Sequence, residues 1–332
     1  MTAKSIKLVS LGIRFSGGDE QALLSAGCLI QAYDAPKDLP EALRAAEDAE
    51  IVCVSNVWQA HLAPDFLNRL GRCRLVVLGT PGAGKLNMEV ARLNGIAVAS
   101  CPAYSAPAVA EYAFALMLAL ARKLVRRRLF SESGPGSFDE PARLMQGVEL
   151  RGKTLGIAGY GSIASHLARI VKGLDMKVLV SEYRAAWWRR ALTTRHVHFV
   201  DFPVMLEKSD VIVSILHARR SMRGTFDDDS FSRMRSGCLF VNVGHARAVD
   251  EDALLAALKQ GKLGGAGLDA FSRDAAQPLR ELDNVILSRH MAWNTVQSEK
   301  HLAAECSENV VRFLSGHPIN LLVEEPELSP PA

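Results

Sequence analysis

The sequence of 332 residues contains no hydrophobic run long enough to cross a membrane. Its most apolar window, residues 109–121, includes Glu111 and is shorter than the roughly 20 residues that a membrane-spanning helix needs. A secretory signal pattern is also absent, because Lys4 and Lys7 lead directly into a strand-like stretch without a small-residue cleavage site. We therefore expect a cytoplasmic protein with no membrane partner.

Cysteine is scarce, and no two cysteines stand at C-x-x-C spacing, which argues against a zinc site or a disulfide framework. Several of the cysteines fall inside apolar, strand-like runs. The sequence therefore predicts six buried free thiols, at Cys28, Cys53, Cys73, Cys101, Cys238 and Cys306.

Charge of one sign is not in excess either, since 39 basic and 36 acidic residues give a formal net charge of +3. The two signs are interspersed along the chain, so no face is expected to carry the positive field that nucleic acid requires. His196 and His198 alternate on a predicted strand, but no Cys, Asp or Glu is spaced to complete a metal site with them. We expect neither nucleic acid nor a metal ion as a partner.

The length and the pattern of the remaining residues predict two α/β units, because one ordinary core does not extend over so long a chain. Short β-branched runs alternate with amphipathic stretches in two blocks, which indicates βαβ units and mainly parallel sheets. The predicted strands are residues 7–11, 28–33, 51–56, 74–80, 96–100, 154–159, 177–182, 197–200, 210–216, 238–244, 265–270 and 284–289.

Four further segments have a distinct character. Residues 108–123 and 295–316 have the spacing of two long helices. Residues 131–147 are rich in Gly, Ser and Pro and predict an irregular connector between the two blocks. The acidic, Pro-rich residues 324–332 predict a mobile tail.

A glycine-rich turn with the pattern G-x-G-x-x-A begins at Gly159, directly after a predicted strand. Gly159 permits the tight turn, and Gly161 leaves the backbone bare where a diphosphate would touch it. The helix that begins with Ser162 and Ile163 would offer its N–H groups and partial positive charge to the phosphates. Glu182 ends the next strand, where a carboxylate would accept hydrogen bonds from ribose hydroxyls. The turn therefore predicts a dinucleotide cofactor, NAD in preference to NADP.

Seven motifs resemble the D-isomer-specific 2-hydroxyacid dehydrogenase family and stand in the family's order. They are residues 79–84 (GTPGAG), 109–112 (VAEY), 149–156 (ELRGKTLG), 240–244 (FVNVG), 249–254 (VDEDAL), 267–271 (GLDAF) and 284–290 (NVILSRH). The resemblance implies a flavodoxin-like substrate domain, residues 1–105 and 295–332, and an inserted NAD-binding Rossmann domain, residues 106–294. Both would be doubly wound parallel sheets. It also implies a homodimer and an active site in the cleft between the domains.

The family works with a histidine, an acid that hydrogen-bonds it, and an arginine. The resemblance assigns the histidine to His290, which would exchange a proton with the substrate oxygen. It assigns the acid to Asp274, one methylene shorter than the family's glutamate, so a pair with His290 and a solvated loop aspartate both stay open. At the arginine position the chain has His245, which lacks the planar fork that grips a carboxylate. Arg247, Arg273 or Arg289 could supply that charge, and the sequence favours none of the three.

The remaining site residues are expected from the same alignment. Substrate contacts are assigned to Arg247, to the strand end at Ser55 and Asn56, and to the backbone N–H groups of Gly82 and Ala83. The resemblance adds cofactor contacts at His217, Val243 and Asp269. For Ser55, Asn56, Gly82 and Ala83, a purely structural role stays open.

Together these patterns predict an NAD-dependent oxidoreductase that transfers hydride between nicotinamide and a small 2-hydroxy or 2-keto acid, or a related carbonyl compound. Two alternatives stay open. One is an enzyme of the same fold whose substrate lacks the usual carboxylate. The other is an NAD(H)-binding sensor or scaffold protein whose catalysis has decayed. The substrate itself is not identified, because the pocket depends on side chains that only folding brings together.

Overall fold

The structure, a computed structural model, describes residues 5–34, 39–59, 61–62, 65–84, 86–124, 146–182, 196–216 and 222–322. The chain forms two compact units, one made of Met1–Ser105 with Asn294–Ala332 and the other of Ala106–Trp293. His217, the predicted tail and nearly all of the predicted connector lie outside the described residues. Within those residues, no helix has the length and apolar character that a membrane span requires.

In chain order the strands are β1 (Ile6–Leu11), β2 (Cys28–Tyr33), β3 (Ile51–Ser55), β4 (Leu75–Gly79), β5 (Ala97–Ser100), β6 (Thr154–Ala158), β7 (Lys177–Ser181), β8 (Val197–Phe199), β9 (Val211–Ser214), β10 (Cys238–Asn242), β11 (Leu263–Leu268) and β12 (Val285–Leu287). The helices are α1 (Gly18–Ser25), α2 (Leu39–Glu47), α3 (Asn56–Gln59), α4 (Met88–Leu93), α5 (Ala106–Ala121), α6 (Ser162–Lys172), α7 (Phe202–Lys208), α8 (Asp228–Arg233), α9 (Glu251–Lys259), α10 (Ala276–Arg280) and α11 (Val296–Leu314).

The first unit is a five-stranded parallel sheet with the strand order β2-β1-β3-β4-β5, which is the flavodoxin-like order. Its central strands β3 and β4 are buried along their whole length, as expected for parallel strands that helices cover on both faces. Helix α11 returns from the end of the chain and packs against α1 and β4. Both chain ends therefore contribute to this unit.

The second unit is a seven-stranded parallel sheet with the order β12-β11-β10-β9-β6-β7-β8. The order reverses between β6 and β9, so this is a Rossmann-like doubly wound sheet. Helix α6 buries Ala164, Leu167, Ala168 and Val171, a spacing of three, four and seven residues that defines one apolar face. Helix α5 covers the same side of the sheet through contacts with α6, β10 and β11.

The predicted fold class, two doubly wound α/β units, is confirmed. All twelve predicted strands form. β1, β2 and β5 end at the predicted residue, and the other nine end one or two residues earlier because the chain turns there into loops. One prediction is corrected: Asn56 does not end β3 but begins α3. The six cysteines are buried and free, as predicted.

Candidate active site

The glycine-rich turn joins β6 to α6 at the carboxyl edge of the second unit's sheet. Gly159 has a φ of 96°, a conformation that residues with side chains rarely adopt. A Cβ added at Gly161 would meet nothing within 4 Å, so the backbone is open at this point. Gly161 is also the N-cap of α6 and supplies no side-chain hydrogen bond to the first turn of the helix. The turn therefore fits an anion such as the diphosphate of a dinucleotide.

A second feature at this edge is Ser214, the last residue of β9. It pairs with Ala158, the residue immediately before the turn. Its Oγ is buried and has no hydrogen-bond partner among the described residues. Buried polar atoms are nearly always paired, so an unpaired hydroxyl where the strand order reverses supports a ligand site there.

The other predicted cofactor contacts lie along the same sheet edge. Glu182 follows the end of β7, the strand next to β6, and is half-buried. Ser162 is exposed at the start of α6, whereas Ile163 packs against the apolar core. Val243 follows β10 and is buried, and its N–H donates to the carbonyl of Ser214 at 3.1 Å. Ser162 and Glu182 are thus the more accessible side chains of this group.

A cavity of about 220 Å³ opens at the carboxyl ends of β10, β11 and β12. The loops that follow these three strands line it, with the residues Gly244, His245, Ala246, Asp269, Ala270, Phe271, Ser288, Arg289 and His290. Parallel pairing places these loops side by side although they are distant in sequence. Two histidines and a buried aspartate are thereby brought into one pocket.

Asp269 holds the backbone on both sides of His290. Its carboxylate is 3% exposed and accepts from Ser288 Oγ at 2.7 Å, from Met291 N at 2.8 Å and from Ala292 N at 3.0 Å. The carbonyl of Asp269 also accepts from His290 N at 3.0 Å. His290 has a φ of 54°, a left-handed conformation that is uncommon outside glycine. These bonds support a strained backbone that a flexible loop would not keep.

The loop that carries His245 is held by the side chain of Asn242, which is buried at the end of β10. Asn242 Nδ2 donates to the carbonyl of Ala270 at 3.0 Å and to that of His245 at 3.4 Å. Asn242 Oδ1 accepts from Gly244 N at 3.3 Å. The loops after β10 and β11 are therefore tied together next to the cavity.

His245 begins a short 3₁₀ helix, Ala246–Ala248, and acts as its N-cap. Its Nδ1 accepts from Arg247 N at 3.1 Å. The pKa of His245 lies below its ordinary value because partial burial disfavours the charged ring, and the nearby Arg247 and His290 add to the effect. A ring whose Nδ1 accepts a hydrogen bond is uncharged and carries its single proton on Nε2, which agrees with the direction of the pKa shift.

The pair of Asp274 and His290 that the resemblance implies is not formed. Asp274 lies in an exposed turn, and no hydrogen bond or ion pair links it to another described residue. The loop that carries Asp274 is hydrogen-bonded to α9 instead. Glu251, at the start of α9, accepts from Ser272 N at 2.6 Å and also from Ser272 Oγ. Within the described part of the chain, no acid is hydrogen-bonded to the His290 ring.

The three candidate arginines differ in their positions. Arg289 lines the cavity and is exposed, whereas Arg247 and Arg273 are exposed outside its lining. In the first unit, Ser55 is buried and its Oγ accepts from Trp58 N at 3.5 Å, while Asn56 is half-buried at the start of α3.

The loop with Gly82 and Ala83 follows β4 of the first unit. Thr80 Oγ1 donates to the carbonyl of Gly82 at 2.7 Å and accepts from Gln59 Nε2 at 3.2 Å. Gly82 and Ala83 are both half-buried. The loop is therefore braced by a neighbouring helix, α3, rather than standing alone.

Sequence reasoning missed the contacts of Asn242, Ser214 and Ser288. The first two had a signal, since each is a polar residue that ends an apolar, buried strand. Ser288 had none, because nothing in its local sequence indicates that its hydroxyl meets Asp269 nineteen residues earlier.

A sequence model of the family described as "D-isomer specific 2-hydroxyacid dehydrogenase, NAD binding domain" matches residues 114–292, which is more than half of the chain. The chain belongs to this family. The family is enzymatic, so this member is a nicotinamide-dependent oxidoreductase by class, as the sequence predicted. The matched region contains the glycine-rich turn and all the residues that line the cavity.

Curated relatives agree with the family. The D-3-phosphoglycerate dehydrogenase of Archaeoglobus fulgidus is 31% identical over 261 residues, 77% of this chain and 48% of that protein, so the chain spans about half its length. The glyoxylate reductase of Thermococcus litoralis is 28% identical over 91% of this chain and 92% of its own length. The hydroxypyruvate reductase of Thermotoga maritima is 31% identical over 72% of this chain and 78% of its own length.

Solved structures share the fold. A D-2-hydroxyisocaproate dehydrogenase has a TM-score of 0.80 at 20% identity, over 96% of this chain and 99% of that one. An acyclic imino acid reductase in complex with NADPH and D-Arg has a TM-score of 0.79 at 23% identity, over 96% of this chain and 100% of that one. At these identities the likeness concerns the fold alone.

Proposed function

We propose that this protein is an NAD-dependent oxidoreductase that interconverts a small 2-hydroxy acid, or a related hydroxy compound, and its carbonyl form, with His290 as general acid and base. The observation that carries the proposal is that one sheet edge holds both parts of such a site. His290 lines the cavity at the carboxyl ends of β10, β11 and β12, and the glycine-rich turn follows β6 in the same sheet. Doubly wound sheets bind their ligands at this edge.

When bound, nicotinamide supplies hydride to the substrate carbon or takes it away. His290 would give a proton to the carbonyl oxygen during reduction and take it from the hydroxyl during oxidation, because an imidazole can hold either state near neutral pH. Asp269 supports His290 through the backbone. Asp274 would take part only in a state in which its turn approaches the ring.

We propose NAD rather than NADP because Glu182 stands beside the turn, where its carboxylate would accept from ribose hydroxyls and repel a 2′-phosphate. Calorimetric titration is expected to give tighter binding of NADH than of NADPH, and Glu182→Gln is expected to narrow the difference. Equal affinities for NADH and NADPH in the unmodified protein would contradict this assignment.

We also propose the homodimer that the resemblance implies. Analytical ultracentrifugation is expected to give the molecular mass of two chains.

The proposed reaction is tested by NADH oxidation with glyoxylate, hydroxypyruvate, pyruvate, phenylpyruvate and bulkier keto compounds. We expect His290→Ala to lower turnover by about 10²–10⁴-fold, the usual contribution of a positioned acid or base, and to leave NADH binding intact. His301→Ala, on an exposed position of α11, is the matched control and is expected to keep full turnover. Full turnover in His290→Ala would reject the proposed role.

The exposed position of Asp274 favours one alternative, an NAD(H)-binding sensor or scaffold protein with decayed catalysis. The same panel separates the two functions. If NADH binds but no carbonyl compound is reduced, the sensor is the better description. If neither pyridine cofactor binds to correctly folded protein, both functions fail.

A further inference from the structure

We propose that His245 determines substrate specificity by presenting one uncharged N–H donor to the cavity. The cavity then binds carbonyl compounds that have a neutral neighbouring group, such as an amide or ester, in preference to 2-keto acid anions. The inference rests on the proposed function, because it places the reacting carbonyl beside His290. It concerns the substrate class, which that function leaves open.

The first step is the hydrogen bond that fixes the tautomer. His245 Nδ1 accepts from the backbone N–H of Arg247 at 3.1 Å, and this bond caps the 3₁₀ helix that follows. A neutral imidazole with Nδ1 as acceptor carries its proton on Nε2. The two ring nitrogens diverge, so the Nε2–H points away from the capped helix. His245 lines the cavity, and its Nε2 has no hydrogen-bond partner among the described residues.

The second step is the rigidity of the loop. Asn242 is buried and holds the carbonyls of both His245 and Ala270. Turning the ring over to expose Nδ1 would break the hydrogen bond from Arg247 N that caps the 3₁₀ helix. His245 therefore offers one N–H donor, at Nε2, and cannot form the bidentate hydrogen bond by which an arginine binds a carboxylate.

The third step is the charge of the lining. Asp269 is negative and buried, and Arg289 is positive and exposed, so these two formal charges cancel. In the reducing direction His290 is protonated, but its proton is directed to the reacting carbonyl oxygen. With His245 uncharged, no further excess positive charge is available to replace the water around a neighbouring carboxylate. Arg247 and Arg289 are exposed, so solvent screens their attraction for a carboxylate. A neutral acceptor, such as an amide or ester oxygen, can be bound by the single N–H of His245 alone.

The experiment compares substrates that share the reacting carbonyl and differ in charge. Pyruvate is compared with pyruvamide and methyl pyruvate, and phenylpyruvate with its methyl ester, in NADH oxidation by the full chain. We expect kcat/KM to be at least tenfold higher for the neutral member of each pair. Calorimetry of the NADH-loaded protein with oxamide and oxamate gives the same comparison without turnover, and oxamide is expected to bind more tightly.

Two substitutions isolate the role of the ring. His245→Gln keeps a neutral N–H donor of similar reach, so it is expected to keep the preference for neutral substrates. His245→Arg supplies a charged fork, and we expect kcat/KM for the acids to rise about tenfold, the usual difference between a neutral and a charge-assisted hydrogen bond. His245→Arg is expected to reverse the oxamide and oxamate order as well.

Two results would overturn the proposal. One is a preference for the keto acids in the unmodified protein, and loss of that preference in Arg289→Gln would assign the carboxylate contact to Arg289. The other is an unchanged preference in His245→Arg. Failure of the proposed function gives a different pattern: no compound is reduced, while the two oxamic ligands still report the charge preference.

Discussion

His245 and His290 line the same cavity but differ in exposure and in hydrogen bonding. His290 is exposed and has a left-handed backbone, so its ring is accessible and its position is set by neighbouring bonds. His245 is half-buried and uses Nδ1 for its own backbone, so its protonation state is set by its surroundings. Two residues of one type thus receive different chemical properties from burial and hydrogen bonding.

The lowered pKa of His245 predicts a pH dependence of stability. The unfolded ring titrates near 6.5, whereas the folded ring resists protonation, so the unfolded state binds the proton more readily as pH falls. The contribution of His245 is therefore complete above about pH 6.5 and is lost as the pH falls below it through the folded pKa. We expect urea unfolding to show a larger loss of unfolding free energy between pH 7.5 and about pH 5.5 in the unmodified protein than in His245→Asn.

His245→Asn is a matched variant, because asparagine is an effective N-cap and can keep the bond to Arg247 N without titrating. Any other histidine that titrates over this range affects both proteins equally. Parallel stability curves in the two proteins would refute the assigned direction of the shift.

At the scale of elements, the site is built from strand ends rather than from helices. The loops after β10, β11 and β12 are linked by Asn242 between the first two and by Asp269 between the last two. Side-chain caps begin some of the helices, as with Asp227 before α8 and Asp250 before α9. Helix α6 has no such cap, because Gly161 has no side chain and leaves the first N–H groups of the helix to a ligand.

Asp269→Asn is expected to weaken the hydrogen bonds between the loops that follow β11 and β12. The carboxylate accepts three hydrogen bonds, and an amide must turn one N–H donor towards another donor. We expect the unfolding free energy to fall by about 1–3 kcal/mol, the cost of an unpaired buried group, and amide exchange of Met291 and Ala292 to accelerate.

Ser288→Ala is the control for this prediction, since it removes one hydroxyl donor and leaves both backbone bonds to Asp269. It is expected to cost about 1 kcal/mol and to leave those two amides protected. Equal protection of Met291 and Ala292 in Asp269→Asn would mean that the carboxylate does not hold this segment.

At the largest scale, each of the two units has its own buried core. Five of the six cysteines lie in the first unit and Cys238 lies in the second. Burial raises the pKa of Cys73 and of Cys238 to about 12, because a thiolate is poorly solvated in an apolar interior. Cys101 and Cys306 meet at an Sγ–Sγ distance of 3.4 Å inside the first unit, where both are buried.

Titration with a disulfide reagent is therefore expected to detect almost no thiol in the folded protein at neutral pH and all six after denaturation. The denatured sample controls for prior oxidation. A thiol of the native protein that reacts as fast as free cysteine would show that one of the cores opens readily.

The amino-acid sequence was sufficient to predict the two doubly wound sheets, the glycine-rich turn and the position of His290 at a strand end. These features depend on local patterns: apolar periodicity, glycine spacing and the order of motifs. The structure was needed to show that Asp269 holds the His290 backbone, that His245 Nδ1 caps its own loop, and that Asp274 is exposed to solvent. Most of these hydrogen bonds join groups that parallel pairing brings side by side from distant parts of the chain. No local pattern records which donor a buried carboxylate or an imidazole will meet.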